Sequence, residues 1–244
     1  MDSEAVRQEI VAIRNVLEDR DHRVIDEGTS HVLAKAEAQT DQAPTGKRWS
    51  ITISRDKPIR FRESDKKHRY LRVDLWGTLE ESLEESGRLL GSLTIRLWSN
   101  KEEIYFREGI DSEAIKEAVK QDERDHGRVM SRFHFEGAMQ GAWEPKYHFH
   151  VGGGGSHRED HEFCWYPEWL DEPRFVYHPM SLILACEFVV ANFFPQHFQA
   201  ISKEQSWRDA LLLAQREYVF PYFDLISECR TSEKSVLQHL CEQS

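Results

Sequence analysis

Strict alternation of apolar and ionisable residues is the feature that most limits how this chain can fold. It is clearest in the segments 132–136 and 146–151, where aromatic or valine residues alternate with charged residues and histidines. A strand has a two-residue side-chain period, so each segment predicts one apolar face and one ionisable face. The ionisable residues are Arg132, His134, Glu136, Lys146, His148 and His150.

The two segments lie close enough in sequence to form an antiparallel hairpin through the loop Gly137 to Pro145. In a symmetric hairpin, positions equidistant from Gly141 lie opposite each other. His134 is therefore expected across from His148, with Cβ atoms about 5 Å apart. The ionisable groups of both strands would then share one side of the hairpin.

Three earlier segments show the same two-residue period, and a short apolar run follows them. The segments are 49–53, 71–76 and 93–98, and the short run is 104–107. Strands with one apolar and one polar face are typical of an antiparallel sheet with a solvated or ligand-lined side.

Helical spacing flanks this sheet. An apolar stripe over 6–17 predicts an N-terminal helix capped by Ser3, followed by a loop or frayed helix over 34–46. The segment Ser181 to Phe194 is apolar nearly all round, which predicts a buried helix that Pro179 can start and Pro195 ends. Further helices are predicted over 111–121, 205–218 and 232–241, with a capping box at Ser202-x-x-Gln205 and a kink or break at Pro221.

The predicted fold class is α+β, with a curved antiparallel sheet of five to seven strands packed on the buried helix and helices at both ends. Residues 1–46 are expected to form an N-terminal helix and linker. Residues 47–178 form the sheet core with an aromatic lid, and residues 179–244 form helices that pack on the sheet as one domain with it.

Charge and cysteine content narrow the classes of partner. The 244 residues carry a formal net charge of −11, which disfavours direct nucleic-acid binding except at a local His/Arg site. The N-terminus lacks the apolar core of a secretory signal, and the longest apolar stretch is shorter than the roughly 20 residues that cross a bilayer. Four dispersed cysteines are typical of reduced thiols, so we expect a cytoplasmic protein without a membrane role.

Five hairpin residues are the candidate catalytic set: His134, His148, His150, Arg132 and Glu136. The three histidines could bind a divalent metal or carry out acid–base chemistry near neutral pH. Glu136 could serve as an oxygen ligand or orient a histidine, and Arg132 could neutralise a phosphate or an oxyanion. The competing interpretation is a solvated sheet face whose side chains only pair across strands. The residues leave open whether a metal binds.

The order of four short motifs resembles a layout in poorly characterised prokaryotic families. The motifs are Arg132-Phe-His-Phe-Glu136, His148-Phe-His-Val-Gly152, Pro173-Arg-Phe-x-x-His-Pro-Met180 and Asn192-Phe-Phe-Pro195. These families include the TumE-type proteins of toxin–antitoxin loci and domains of unknown function near phage-defence genes. The resemblance implies a cytosolic bacterial protein encoded beside a protein partner, with His148 and His150 matching the His-rich strand. The long terminal regions depart from a small toxin and favour a larger subunit.

We therefore expect an accessory or partner-binding subunit of a prokaryotic anti-phage defence or toxin–antitoxin-like module, without catalysis of its own. The aromatic stretch Phe163 to Tyr177 forms either a lid or core edge packed by its own rings, which the usual burial of aromatic residues favours, or a recognition surface for the partner. The alternative is a His-based phosphodiesterase or RNase that uses the polar face of the hairpin. A third interpretation is a small-ligand barrel, which requires the rings to line an enclosed cavity. Substrate, partner identity and oligomeric state are open at this point.

Overall fold

The computed structural model describes residues 1–19, 22, 24–42, 44–62, 71–82, 89–99, 128–137, 147–151 and 175–228. These residues form an antiparallel sheet with helices before and after it in the chain. The elements are α1 (Ser3–Glu18), α2 (Glu27–Thr40), β1 (Lys47–Ile53), β2 (Ile59–Arg62), β3 (Leu71–Ser82), β4 (Leu89–Ser99), β5 (Arg128–Gly137), β6 (Tyr147–Val151), β7 (Phe175–Val176), α3 (Leu182–Phe193), α4 (Pro195–Ile201), α5 (Gln205–Ala214), a π-helical segment (Gln215–Val219) and α6 (Phe220–Glu228). The predicted α+β class is confirmed.

Several predicted features lie outside the described residues. They are the short strand at 104–107, the helices at 111–121 and 232–241, Lys146, positions 163–174 of the aromatic stretch, and three of the four cysteines. The fourth, Cys186, is buried and carries a free thiol.

The N-terminal region contains two helices rather than one helix and a linker. The predicted stripe on α1 is confirmed, but the cap is Asp2 instead of Ser3, since its carboxylate accepts a hydrogen bond from the Ala5 N–H at 2.8 Å. The loop or frayed helix expected over 34–46 is helical as far as Thr40. Alanine, a strong helix former, recurs in this segment, and burial of Leu33 and Ala36 anchors the helix to the core.

The described residues form a sheet of seven strands. Six follow the order β1-β3-β4-β5-β6-β7, and β2 pairs with β3 beside β1. All six strand pairs are antiparallel, as predicted from the alternation of apolar and polar residues along the strands. The longest pairing joins β3 to β4, from Leu71 opposite Ser99 to Glu81 opposite Leu89. The central position of β4 and β5 makes them the natural frame for a site.

Two glycines let β3 and β4 approach closely. Gly77 and Gly91 have backbone φ angles of 147° and 102°, which residues other than glycine rarely adopt. A Cβ at Gly77 would overlap the carbonyl oxygen of Ser92, and one at Gly91 would overlap that of Thr78. The contact between these strands therefore requires glycine at both positions.

One face of the sheet packs against α3, as the apolar sequence of this helix predicts. Phe188 makes edge contacts with Phe133 and Phe135, at ring-centroid distances of 5.4 and 5.6 Å. At the start of α3, the Ile183 N–H donates to the buried Glu9 carboxylate of α1 at 2.7 Å. A single hydrophobic core thus joins the terminal helices to the sheet.

The predicted buried helix is confirmed within one residue at each end, and one cap of the next helices is not. α3 runs from Leu182 to Phe193 with Ser181 as its N-cap, and Pro195 begins α4. The capping box at Ser202 is wrong, because Glu204 is the N-cap of α5 and makes no side-chain capping bond.

At Pro221 the helical run continues. A π turn, in which the Phe220 N–H donates to the Gln215 carbonyl, precedes the proline, and α6 follows. No helix among the described residues is long and apolar enough to cross a membrane.

Candidate functional site

The polar face of β5 and β6 carries the predicted site residues. Arg132, His134 and Glu136 lie on the face opposite Phe133 and Phe135, because successive residues of a strand alternate in direction. On β6, the buried His148 and His150 alternate with less buried aromatic and valine residues. The prediction that both hairpin strands turn their described ionisable groups to one side is confirmed.

The pairing of the two strands differs by two residues from the symmetric hairpin expected. Glu136 lies opposite His148, and His134 lies opposite His150. The prediction of His134 across from His148 is therefore wrong. A slip of two residues preserves the faces of a strand but exchanges every cross-strand neighbour. The exchange places the carboxylate directly opposite a histidine.

Glu136 is the centre of the cluster. Its Oε2 atom lies 3.6 Å from His134 Nε2, 3.9 Å from His148 Nε2 and 3.9 Å from His150 Nε2. Candidate ligand atoms of Glu136, His148 and His150 all lie within 4.8 Å of one another. A tetrahedral metal with bonds of about 2.0–2.1 Å holds its ligand atoms roughly 3.4 Å apart. Small rotations of these side chains would therefore bring the three around one ion.

Burial is graded across the cluster. The His148 side chain is 0% exposed, whereas that of Glu136 is 36% exposed. The His148 and His150 rings are in edge contact, with centroids 4.9 Å apart. The histidines thus form the floor, and a small molecule would approach from the side of Glu136.

A threonine that the sequence interpretation did not single out completes the arrangement. Thr94 lies opposite His134 in the pairing of β4 with β5. Its Oγ1 is 2.8 Å from His134 Nδ1, a hydrogen-bond distance. The alternation in β4 places Thr94 on a polar face, but only the register between strands shows which histidine it meets.

The environment of Glu136 favours its ionised form. The polar contact with His134 is the largest cause that lowers the pKa of the Glu136 carboxyl, and the charges of all three histidines act in the same direction against the effect of burial. At 3.6 Å the contact is longer than a standard hydrogen bond, so we treat it as an ion–dipole contact. An ionised carboxylate is the form that a metal requires.

Arginines occupy the next row of the same face. Arg132 lies opposite Arg96 of β4, which is in turn opposite Asp74 of β3. Both arginines are buried, and the Arg96 guanidinium stacks over the Trp76 ring at 4.9 Å. Arg132 is one strand period from His134, so it neighbours the cluster along β5.

His178 approaches the cluster from the segment after β7. Its Nδ1 atom is 2.8 Å from the Pro179 carbonyl oxygen, and burial lowers the pKa of its imidazole. With Glu136 and His148 it lines a cavity of about 20 Å³. This is room for about one water-sized group beside the cluster.

The chain matches no family model, no curated protein and no solved structure. A proposal for the function of this chain therefore rests on the geometry of the cluster.

Proposed function

We propose that the protein binds a divalent transition-metal ion through Glu136, His148 and His150. The observation that carries this proposal is the convergence of their ligand atoms within 4.8 Å, on two directly paired strands. Two imidazoles and one carboxylate suit Zn²⁺ and its neighbours in the first transition row better than Mg²⁺ or Ca²⁺. The ionised state favoured for Glu136 supports the same assignment.

A three-ligand site leaves coordination positions for water and substrate, which is the arrangement of catalytic rather than structural zinc sites. The chemistry that suits it is hydrolysis, because a bound metal ion lowers the pKa of its water. Arg132, with Arg96 beside it, lies on the same face, and guanidinium groups recognise phosphate oxygens. We therefore propose a phosphodiester as the substrate class.

Titration calorimetry with Zn²⁺ tests the metal site. We expect one ion per chain, and at least about 100-fold weaker binding for His148→Ala, His150→Ala and Glu136→Gln. His31→Ala, an exposed histidine on α2, is the matched control and should bind as the wild type does. Wild-type protein that binds no Zn²⁺, or three site variants that all bind normally, would contradict the proposal.

Hydrolysis is tested separately with the metal-loaded protein. We expect slow cleavage of bis(p-nitrophenyl) phosphate or of single-stranded RNA, lost in His148→Ala and reduced in Arg132→Ala. Binding of Zn²⁺ without cleavage of either substrate would leave a metal site and remove the phosphodiesterase assignment.

The second candidate function is the partner-binding subunit that the family resemblance implies. Leu212, Phe220 and Phe223 support it, because these large apolar side chains are 47%, 50% and 54% exposed on the C-terminal helices. Co-expression with the products of neighbouring genes tests this role. A complex that survives purification and is broken by Phe220→Ser with Phe223→Ser would support it, and a chain that binds none of them would contradict it.

A further inference from the structure

The two ring nitrogens of His134 have different neighbours. Nδ1 is 2.8 Å from the Thr94 hydroxyl oxygen, and Nε2 is 3.6 Å from Glu136 Oε2. His134 lies outside the group whose ligand atoms are all within 4.8 Å of one another. Its ring centroid is 6.0 Å from that of His150, against 4.9 Å between His148 and His150.

These neighbours determine where the proton of a neutral His134 ring lies. At 3.6 Å the negative carboxylate attracts an N–H dipole and repels a nitrogen lone pair, so the nitrogen that faces Glu136 is the one that carries the hydrogen. Nδ1 is then the nitrogen with the lone pair, and the Thr94 hydroxyl must donate to it. In this tautomer the Nε2 lone pair is absent and the Nδ1 lone pair is used. Neither nitrogen is available to a metal ion.

The backbone keeps this arrangement in place. Thr94 and His134 are direct partners in the ladder between β4 and β5, so their separation is set by strand pairing. His134 and Glu136 are two apart on β5 and point to the same side. The histidine therefore approaches the carboxylate from the same strand, with its Nδ1 toward Thr94 of β4, while His148 and His150 approach from β6.

We infer that His134 is a positioning residue of the metal site and not one of its ligands. Thr94 fixes the ring, and the Nε2–H dipole of the ring attracts the Glu136 carboxylate and orients it toward His148 and His150. A carboxylate has two oxygens with two lone pairs each, so Glu136 can face the His134 N–H and bind an ion at once. This inference rests on the proposed metal site and departs from the prediction that His134 is a ligand.

The test compares Zn²⁺ affinity with the visible absorption spectrum of the Co²⁺-loaded protein, which reports the ligands of the ion. We expect His134→Ala and Thr94→Val to bind one ion with a wild-type Co²⁺ spectrum and about 10- to 100-fold weaker Zn²⁺ affinity. His134→Gln should recover part of that loss, because its amide N–H can donate to Glu136. His148→Ala should lose the spectrum.

Thr52→Val, which removes an exposed hydroxyl that contacts Thr78 on the same sheet, is the matched control for Thr94→Val and should leave Zn²⁺ affinity unchanged. Thermal unfolding without metal establishes that each variant is folded. If His134→Ala alters the Co²⁺ spectrum or abolishes binding as His148→Ala does, His134 is a ligand and the inference is wrong. Unchanged affinity in His134→Ala would also overturn it.

The outcomes separate this inference from the proposed function. Wild-type protein that binds neither ion removes the metal site and the inference together. Wild-type binding that His148→Ala abolishes, combined with a ligand-like or neutral result for His134→Ala, removes only the role of His134.

Discussion

The two faces of β5 show how one strand separates stability from chemistry. Phe135 is 4% exposed and touches the rings of Phe149, Tyr177 and Phe188, whereas the next residue, Glu136, faces three imidazoles. Neighbouring positions thus have unlike surroundings. Substitutions on the apolar face should change the free energy of unfolding, and those around Glu136 should change ligand binding.

Two carboxyl groups show the same contrast. Burial is the largest cause that raises the pKa of Glu9 to about 7, against the hydrogen bonds it accepts at the start of α3. Glu136 has neighbouring imidazoles that outweigh its burial, and its pKa is lowered. Burial therefore decides the direction of the pKa shift at Glu9, and neighbouring imidazoles decide it at Glu136.

The largest expected effect is on the apolar face. Phe135→Ala should lower the free energy of unfolding by about 4 kcal/mol, because a buried ring is removed and a cavity is left. Denaturant unfolding measures it. Phe223→Ala, whose ring is 54% exposed, is the control and should cost about 0.5 kcal/mol. Equal costs for the two variants would break the contrast between core and surface rings.

The pH dependence of stability should report Glu9. Burial raises its pKa in the folded protein from the ordinary value of 4.5 to about 7, so the folded state binds more protons between these values. The stabilisation contributed by Glu9 should therefore be complete below about pH 4.5 and fall by about 3 kcal/mol as pH rises to 7.

Glu9→Gln isolates that contribution, because it keeps an oxygen acceptor for the Ile183 N–H and cannot ionise. The unfolding free energy of wild type minus that of Glu9→Gln, measured across pH in metal-free protein, should fall as pH rises from 4.5 to 7. A difference that stays constant from pH 4.5 to 7 would show that Glu9 titrates normally.

Metal should stabilise the polar face. With Zn²⁺ at 100 times its dissociation constant, the wild-type unfolding free energy should rise by about 2.7 kcal/mol. Glu136→Gln, with at least about 100-fold weaker affinity, should gain at most about 0.4 kcal/mol at that concentration. Without metal its stability should be within about 1 kcal/mol of wild type. A large metal-free loss in Glu136→Gln would mean that the cluster serves the fold instead.

Asp74 is an exception to the contrast between the two faces, because it lies on the polar face but its loss should lower the free energy of unfolding. It accepts from Arg60 Nε at 2.9 Å and lies 3.2 Å from Arg72 Nη2. Asp74→Asn should cost about 2 kcal/mol, since hydrogen bonds to buried charged groups are strong. Glu80→Gln, which loses the more exposed contact with Lys47, should cost less than about 1 kcal/mol. Similar losses in both variants would contradict this ranking.

The sequence predicts which face of a strand each side chain occupies better than it predicts which residue lies opposite on the next strand. Alternation identifies the polar sides of β5 and β6 because direction depends only on a two-residue period. The pairing of Glu136 with His148 depends on the connecting residues and on β4, which local pattern does not encode. Thr94 was missed for the same reason.

The helix boundaries show a second limit. α2 extends into a segment poor in large apolar residues, because alanine propensity and a few buried contacts are enough. At α3 the apolar run predicts the extent of the helix. Its N-terminal contact, the Ile183 N–H donating to Glu9 of α1, joins residues far apart in sequence and has no local signal.

The glycines of β3 and β4 restrict how this site can be redesigned. Since Gly77 and Gly91 lie against carbonyl oxygens of the opposite strand, any side chain at either position would wedge the two strands apart. β4 also places Thr94 opposite His134 on β5, so such a displacement would move His134 and, on the same strand, Glu136. A library that varies the histidines should therefore hold both glycines constant, although neither is a member of the cluster.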